Sequence, residues 1–149
     1  MSAAASTVAD MTGTEQSRAI VRRYFDTMAA RDWDAFGAVL AEDVVYELPQ
    51  TAERIVGRER LVRFNREYPG DWRLSVSRLI VDGESAAGSM NFTVGEEEMV
   101  GLVYLELARG LIVRVTDFWP EPYEAPAGRE HLTEQGVGGV DRLSRPGAS

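Results

Sequence analysis

The chain has 149 residues, 44% hydrophobic and 27% charged, which suits one globular domain with its own core and leaves no room for two. A formal net charge of -8 repels phosphate backbones and speaks against nucleic acid as a partner. The absence of cysteine removes disulfides, thiolate metal sites and thiol nucleophiles, and no apolar stretch is long enough to span a bilayer, so no membrane partner is expected.

Residues 1–12 (MSAAASTVADMT) are small and polar, lack the pattern of a secretory signal, and read as a disordered N-terminus of a cytoplasmic protein. One domain is expected over residues 13–133, followed by a flexible, Gly-rich tail over 134–149. Thr12 and Glu15 form a capping-box pattern ahead of a helix whose apolar residues Ile20, Val21, Tyr24, Phe25 and Met28 share one face. Asp32 is placed to cap a second, shorter helix that buries Trp33, Phe36, Val39 and Leu40. The run DVVYELP, ended by Pro49, reads as a strand, and a third helix is expected after Gly57, burying Leu61, Phe64 and Tyr68. The rest reads as β: 73–81, a tight turn at Asp82-Gly83, 85–94, then 98–108, a turn at Arg109-Gly110, and 111–119. Helices set apart from consecutive hairpins imply an α+β fold, with helices on the concave face of a curved, mostly antiparallel sheet.

Strand alternation offers candidates for chemistry. With Asp117 facing the concave side, Val113, Val115 and Trp119 face it too, while Arg114, Thr116 and Phe118 face away. A lone carboxyl among apolar neighbours loses hydration, which raises its pKa toward the range of general acid–base work; the plainer alternative is an aspartate that only fixes its strand. Tyr24 and Tyr46 could donate hydrogen bonds to a ligand or to Asp117, or be simple core. Asn91 is expected to point inward beside Asp117, which sends Met90, Phe92 and Val94 outward with Tyr104 and Phe118. An outer face that apolar is best covered by a second copy, so a homodimer through the outer sheet face is expected. Leu48, Phe64, Trp72, Val103, Leu105, Val115 and Trp119 are candidate pocket wall, with plain core packing as the alternative.

Other residue types carry less. His131, the single histidine, lies beyond the last strand, and no carboxylate or histidine cluster has metal-ligand spacing. The serines lack a nucleophile elbow, no phosphate-binding loop follows a strand, and no cofactor is implied. Arg58, Arg60, Arg63 and Arg66, interleaved with Glu59 and Glu67, read as a solvated helix face.

The element order and the motif DFWPEPYEAP resemble the nuclear transport factor 2-like superfamily, and within it the SnoaL-like proteins, over residues 15–125. The resemblance implies a cone-shaped α+β barrel with one apolar pocket for a small hydrophobic molecule. It also spans isomerases, cyclases, dehydratases, epoxide hydrolases and non-catalytic binders. By resemblance to ketosteroid isomerase, Tyr24 takes the place of the carbonyl-polarising tyrosine, Leu48 that of the base, and Val103 that of the second oxyanion-hole carboxyl. By resemblance to limonene epoxide hydrolase and SnoaL-type cyclases, Asp117 takes the place of the catalytic acid or base. Ser89 and Asn91 then stand where the epoxide hydrolases carry Arg and Asp, and Tyr46 and Leu48 where they carry the water-holding Tyr and Asn. Two functions follow as expectations: hydrolysis, isomerisation or cyclisation through Asp117, or non-catalytic binding and interaction on the same fold.

Overall fold

The computed structural model describes the backbone of residues 2–135 and the side chains of residues 13–135. Helix α1 spans Ser2–Ala29, α2 Trp33–Ala38 and α3 Arg58–Arg66. The strands are β1 Leu40–Leu48, β2 Glu53–Val56, β3 Trp72–Asp82, β4 Ser85–Val94, β5 Glu97–Ala108 and β6 Leu111–Phe118. They form one sheet in the order β2-β1-β6-β5-β4-β3, curved but not closed. Each pairing is antiparallel except β1 with β6, so the meander β3–β6 is extended by a strand from the N-terminal half. Among the described residues no helix is long and apolar enough to cross a membrane.

Sequence logic accounts for most boundaries. Asp32 caps α2 as expected, its carboxylate accepting from the Ala35 amide at 3.3 Å. Gly57, at φ +107, makes the turn that admits α3, a conformation a Cβ would disfavour. Arg109 and Gly110 are both left-handed, the pattern of the tight hairpin turn between β5 and β6.

Several expectations are corrected. Residues 2–12 fall within the bounds of α1, and their side chains, Thr12 included, lie outside the described residues. The β3–β4 turn is Gly83-Glu84, with Asp82 still paired to Ser85 in the ladder. Strand β2 falls in a stretch where no element was expected. Tyr68 lies past the end of α3 and is exposed. Of the tail from residue 134, all beyond Gln135 lies outside the described residues.

The core lies between the helices and the concave face. Helix α1 packs on β3, α3 on β1 and β2, and α2 bridges α1 and α3. Val21, Phe36, Leu40, Val44, Leu61 and Ile112 are wholly buried there. Strand β6 carries a register shift against β5, which puts Ile112 in the buried place that simple alternation assigns to Val113; Val113 is half-buried. Past the shift, Val115 and Asp117 face inward and Arg114 faces outward, where it meets Glu47 at 3.2 Å.

At Gly101 close approach leaves no room for a side chain. A Cβ on Gly101 would lie 2.7 Å from the Trp119 ring and 2.9 Å from the Met90 methyl. Gly101→Ala should therefore displace Trp119 and destabilise the fold by about 1–3 kcal/mol. Urea unfolding measures this, and a variant as stable as wild type would show that the ring moves freely.

Candidate active site

Where α1 and α3 diverge over the sheet, a cavity of about 770 Å³ opens. Helix α1 supplies Tyr24, Phe25 and Met28 to its wall, and β1 supplies Tyr46 and Leu48. Phe64 and Tyr68 come from α3 and the turn after it, and Trp72 from the start of β3. Met90 and Phe92 on β4 and Met99 on β5 continue the wall; Asp117 and Trp119 complete it at the end of β6.

The aromatic side of the wall is organised around Phe92. Its ring stacks on Trp72 at 5.8 Å and meets Tyr68 and Trp119 edge-on, each at 5.5 Å. Phe64 links this group to Tyr46, with centroids 5.8 Å apart. Behind Trp72, the Arg31 guanidinium lies 4.0 Å from the ring centroid and donates to the Trp72 carbonyl, pinning β3 to the α1–α2 turn. Across the mouth, the Trp119 amide donates to the Gln50 side-chain carbonyl, which ties the end of β6 to the β1–β2 turn.

Asp117 is the ionisable group at the inner end of this space, 7% exposed. The parallel β1–β6 pairing sets Tyr46 opposite Val115, one diagonal step from Asp117. The Tyr46 hydroxyl donates to Asp117 Oδ2 at 2.5 Å, whereas Oδ1 is buried without a hydrogen-bond partner. Burial pushes the Asp117 carboxyl from an ordinary 3.8 up to about 7, opposed by the bond from Tyr46. Burial and then the charge of Asp117 hold the hydroxyls of Tyr24 and Tyr46 well above their ordinary value, so both remain neutral donors at physiological pH. Because the one Tyr46 proton is spent on Oδ2, the acidic proton of neutral Asp117 belongs on Oδ1. A carboxyl with both forms populated near neutrality and one free oxygen can give or take a proton.

The expected site residues divide. Asp117, Tyr24, Tyr46, Leu48, Phe64, Trp72 and Trp119 line the cavity together. Val103, Leu105 and Val115 do not: they are at most 1% exposed in the packed core, because the concave face extends beyond the cavity. Asn91 is corrected outright. Met90 and Phe92 line the cavity, so alternation places Asn91 on the outer face with Ser89, and Ser89 is bonded there to Ser77 at 2.7 Å. Ser89 and Asn91 therefore occupy no pocket position corresponding to the epoxide hydrolases' Arg–Asp pair. No hydrogen bond joins Tyr24 to Asp117 among the described residues; their link is the charge felt through the cavity. His131 is exposed beyond β6. Phe92, Tyr68, Met99, Glu53 and Glu121 were missed as lining residues. For Phe92 a signal existed: in SAAGSMNFTV the apolar residues Met90, Phe92 and Val94 alternate with Ser89, Asn91 and Thr93. Among the described residues no group of three or more His, Asp or Glu side chains could hold a metal ion.

The raised acidity constant has a signed consequence for stability. Between about pH 4 and pH 7 the folded state holds a proton that the unfolded state has lost, so this group's contribution falls as pH rises through that window and is flat above it. Asp117→Asn removes this dependence. Its stability relative to wild type should rise by roughly 2–4 kcal/mol across the window, as measured by denaturation at several pH values. A difference that stays constant with pH would rule out a buried carboxyl that resists ionisation.

The SnoaL-like domain family matches residues 21–115. No curated protein matches the chain. A Kribbella flavida protein, provisionally named a ketosteroid isomerase, is 61% identical, with a TM-score of 0.82 over 85% of this chain and 94% of that one. A nuclear transport factor 2-like protein of unknown function from Burkholderia xenovorans is 25% identical, with a TM-score of 0.71 over 83% and 97% of the two chains. An LEH-like epoxide hydrolase from M. tuberculosis shares the fold at 21% identity, with a TM-score of 0.63 over 72% and 80%. The chain belongs to the SnoaL-like family of the nuclear transport factor 2-like superfamily.

Proposed function

We propose that this protein is a cofactor-independent acid–base enzyme for a small, largely apolar substrate, in which Asp117 moves the proton. One observation carries this reading: a buried carboxyl on the wall of an aromatic cavity has one oxygen tied to Tyr46 while its other oxygen, Oδ1, is buried without a partner. Protonated, Oδ1 delivers a proton to a leaving or developing oxygen; ionised, it accepts one from carbon or from water. Tyr46 keeps Oδ1 as the reacting atom, and Tyr24 can donate to a substrate oxygen. Hydrolysis, isomerisation and cyclisation share that step. The name of the Kribbella relative brings isomerisation forward. By the family resemblance, Leu48 stands where the ketosteroid isomerases carry their base, so Asp117 on β6 would have to serve instead. The absence of that base equally supports a second reading, a pocket that binds without turnover.

A thermal-shift screen of terpenoid, steroid and polyketide-like ligands, with turnover assayed on the hits, tests both. Asp117→Asn should cost at least about 100-fold in kcat. Tyr46→Phe should move the inflection of the rate profile to higher pH, because it removes the bond that lowers the Asp117 pKa. Turnover unchanged by Asp117→Asn would refute the role of Asp117; tight binding with no turnover in wild type would establish the second reading.

We also propose that the outer face of the sheet forms a two-fold homodimer interface. Ile80 and Tyr104 are 68% and 58% exposed there, and Tyr104 packs edge-on against Phe118. The patch differs from the sequence expectation, since Met90 and Phe92 belong to the cavity. Light scattering should give the mass of a dimer for wild type and of a monomer for Tyr104→Glu. A monomeric wild type would overturn this assignment.

A further inference from the structure

Among the described residues, the charged side chains that line the cavity are all of one sign: the carboxyl groups of Glu53, Asp117 and Glu121, with no basic side chain in the lining. Glu53 opens β2 directly after the β1–β2 turn, and Glu121 follows β6 by three residues. These two segments are joined by the bond from the Trp119 amide to Gln50, so both exposed glutamates stand on the same rim. Inside the rim the wall is the Phe92-centred aromatic group, and ring faces carry negative potential. Arg31 lies behind Trp72 and is engaged with that residue's ring and carbonyl.

A carboxylate or phosphate ligand would meet three acidic side chains and electron-rich rings with no counter-charge. A neutral ligand would gain nothing from the rim. A cation on an apolar body satisfies both parts of the site, and the chain's net charge of -8 draws cations toward it. We propose that the pocket takes a lipophilic amine, with its apolar body against the Phe92 wall facing Asp117 and its ammonium at the mouth between Glu53 and Glu121. This rests on reading the cavity as a binding site. It adds the substrate class to that reading.

The test uses three probes with one apolar body, naphthylmethylamine, naphthylmethanol and naphthoate, titrated calorimetrically into the full-length protein at neutral pH and low salt. The amine should bind about tenfold more tightly than the alcohol, the carboxylate should bind more weakly than either, and added salt should erode the amine's advantage. In the double variant Glu53→Gln/Glu121→Gln, with its fold checked by circular dichroism, the amine and alcohol should converge to within about twofold. Equal binding of amine and alcohol by wild type, or tighter binding of naphthoate, would overturn the charge preference and leave the cavity standing as a binding site. An undiminished amine preference in the double variant would overturn the place given to the ammonium. Failure of all three probes to bind would remove the binding-site reading, and this proposal with it.

Discussion

The burial of one carboxyl, held by one phenol, is the constraint around which this molecule is arranged. Asp117 lies among apolar side chains that disfavour its charge, and a single hydrogen bond from Tyr46 offsets only part of that cost. The bond exists because β1, drawn from the N-terminal half, pairs in parallel with β6, the last strand of the meander. Were β1 shifted by one residue along β6, Tyr46 would turn to the opposite face and the carboxyl would lose its bond from the phenol. The one parallel pairing among the described strands is therefore the one that joins the Tyr46–Asp117 pair.

Around that pair the fold leaves a space rather than filling it. Gly101 lets the Trp119 ring approach β5 closely, and Phe92 gathers Trp72, Tyr68 and Trp119 into one wall. Farther along the same face, Val103, Leu105 and Val115 are closed over by the packed core. The concave surface thus changes from solid core to cavity along single strands. Val103 and Asp117 are paired across β5 and β6, yet one is core and the other lines the cavity. Membership of the SnoaL-like family accounts for the architecture, while the chemistry depends on which side chains occupy these few positions.

The sequence by itself determined the elements that rest on local rules. Turn dipeptides and period-2 alternation located β3 to β6 closely, Asp32 marked the α2 cap, and alternation grouped Val115, Asp117 and Trp119 on one face of the sheet. Alternation also grouped β4 correctly, with Met90 and Phe92 on one face and Asn91 on the other; placing Asn91 beside Asp117 kept that pattern but assigned its two faces the wrong way round. Apolarity was the better guide to the inward face there, because burying an amide without a partner costs more than burying a methyl group.

Tertiary structure decided what no local rule contains. Strand β2 has almost no pattern of its own and exists because β1 offers it an edge. The bulge that exchanges Val113 for Ile112 arises from the pairing of β6 with β5. Whether an inward residue is core or cavity wall depends on where the helices stop covering the sheet. The Tyr46–Asp117 bond joins residues 71 positions apart. The two residue types were legible in the sequence; their juxtaposition, which gives the carboxyl one tied oxygen and one free, was made by strand pairing alone.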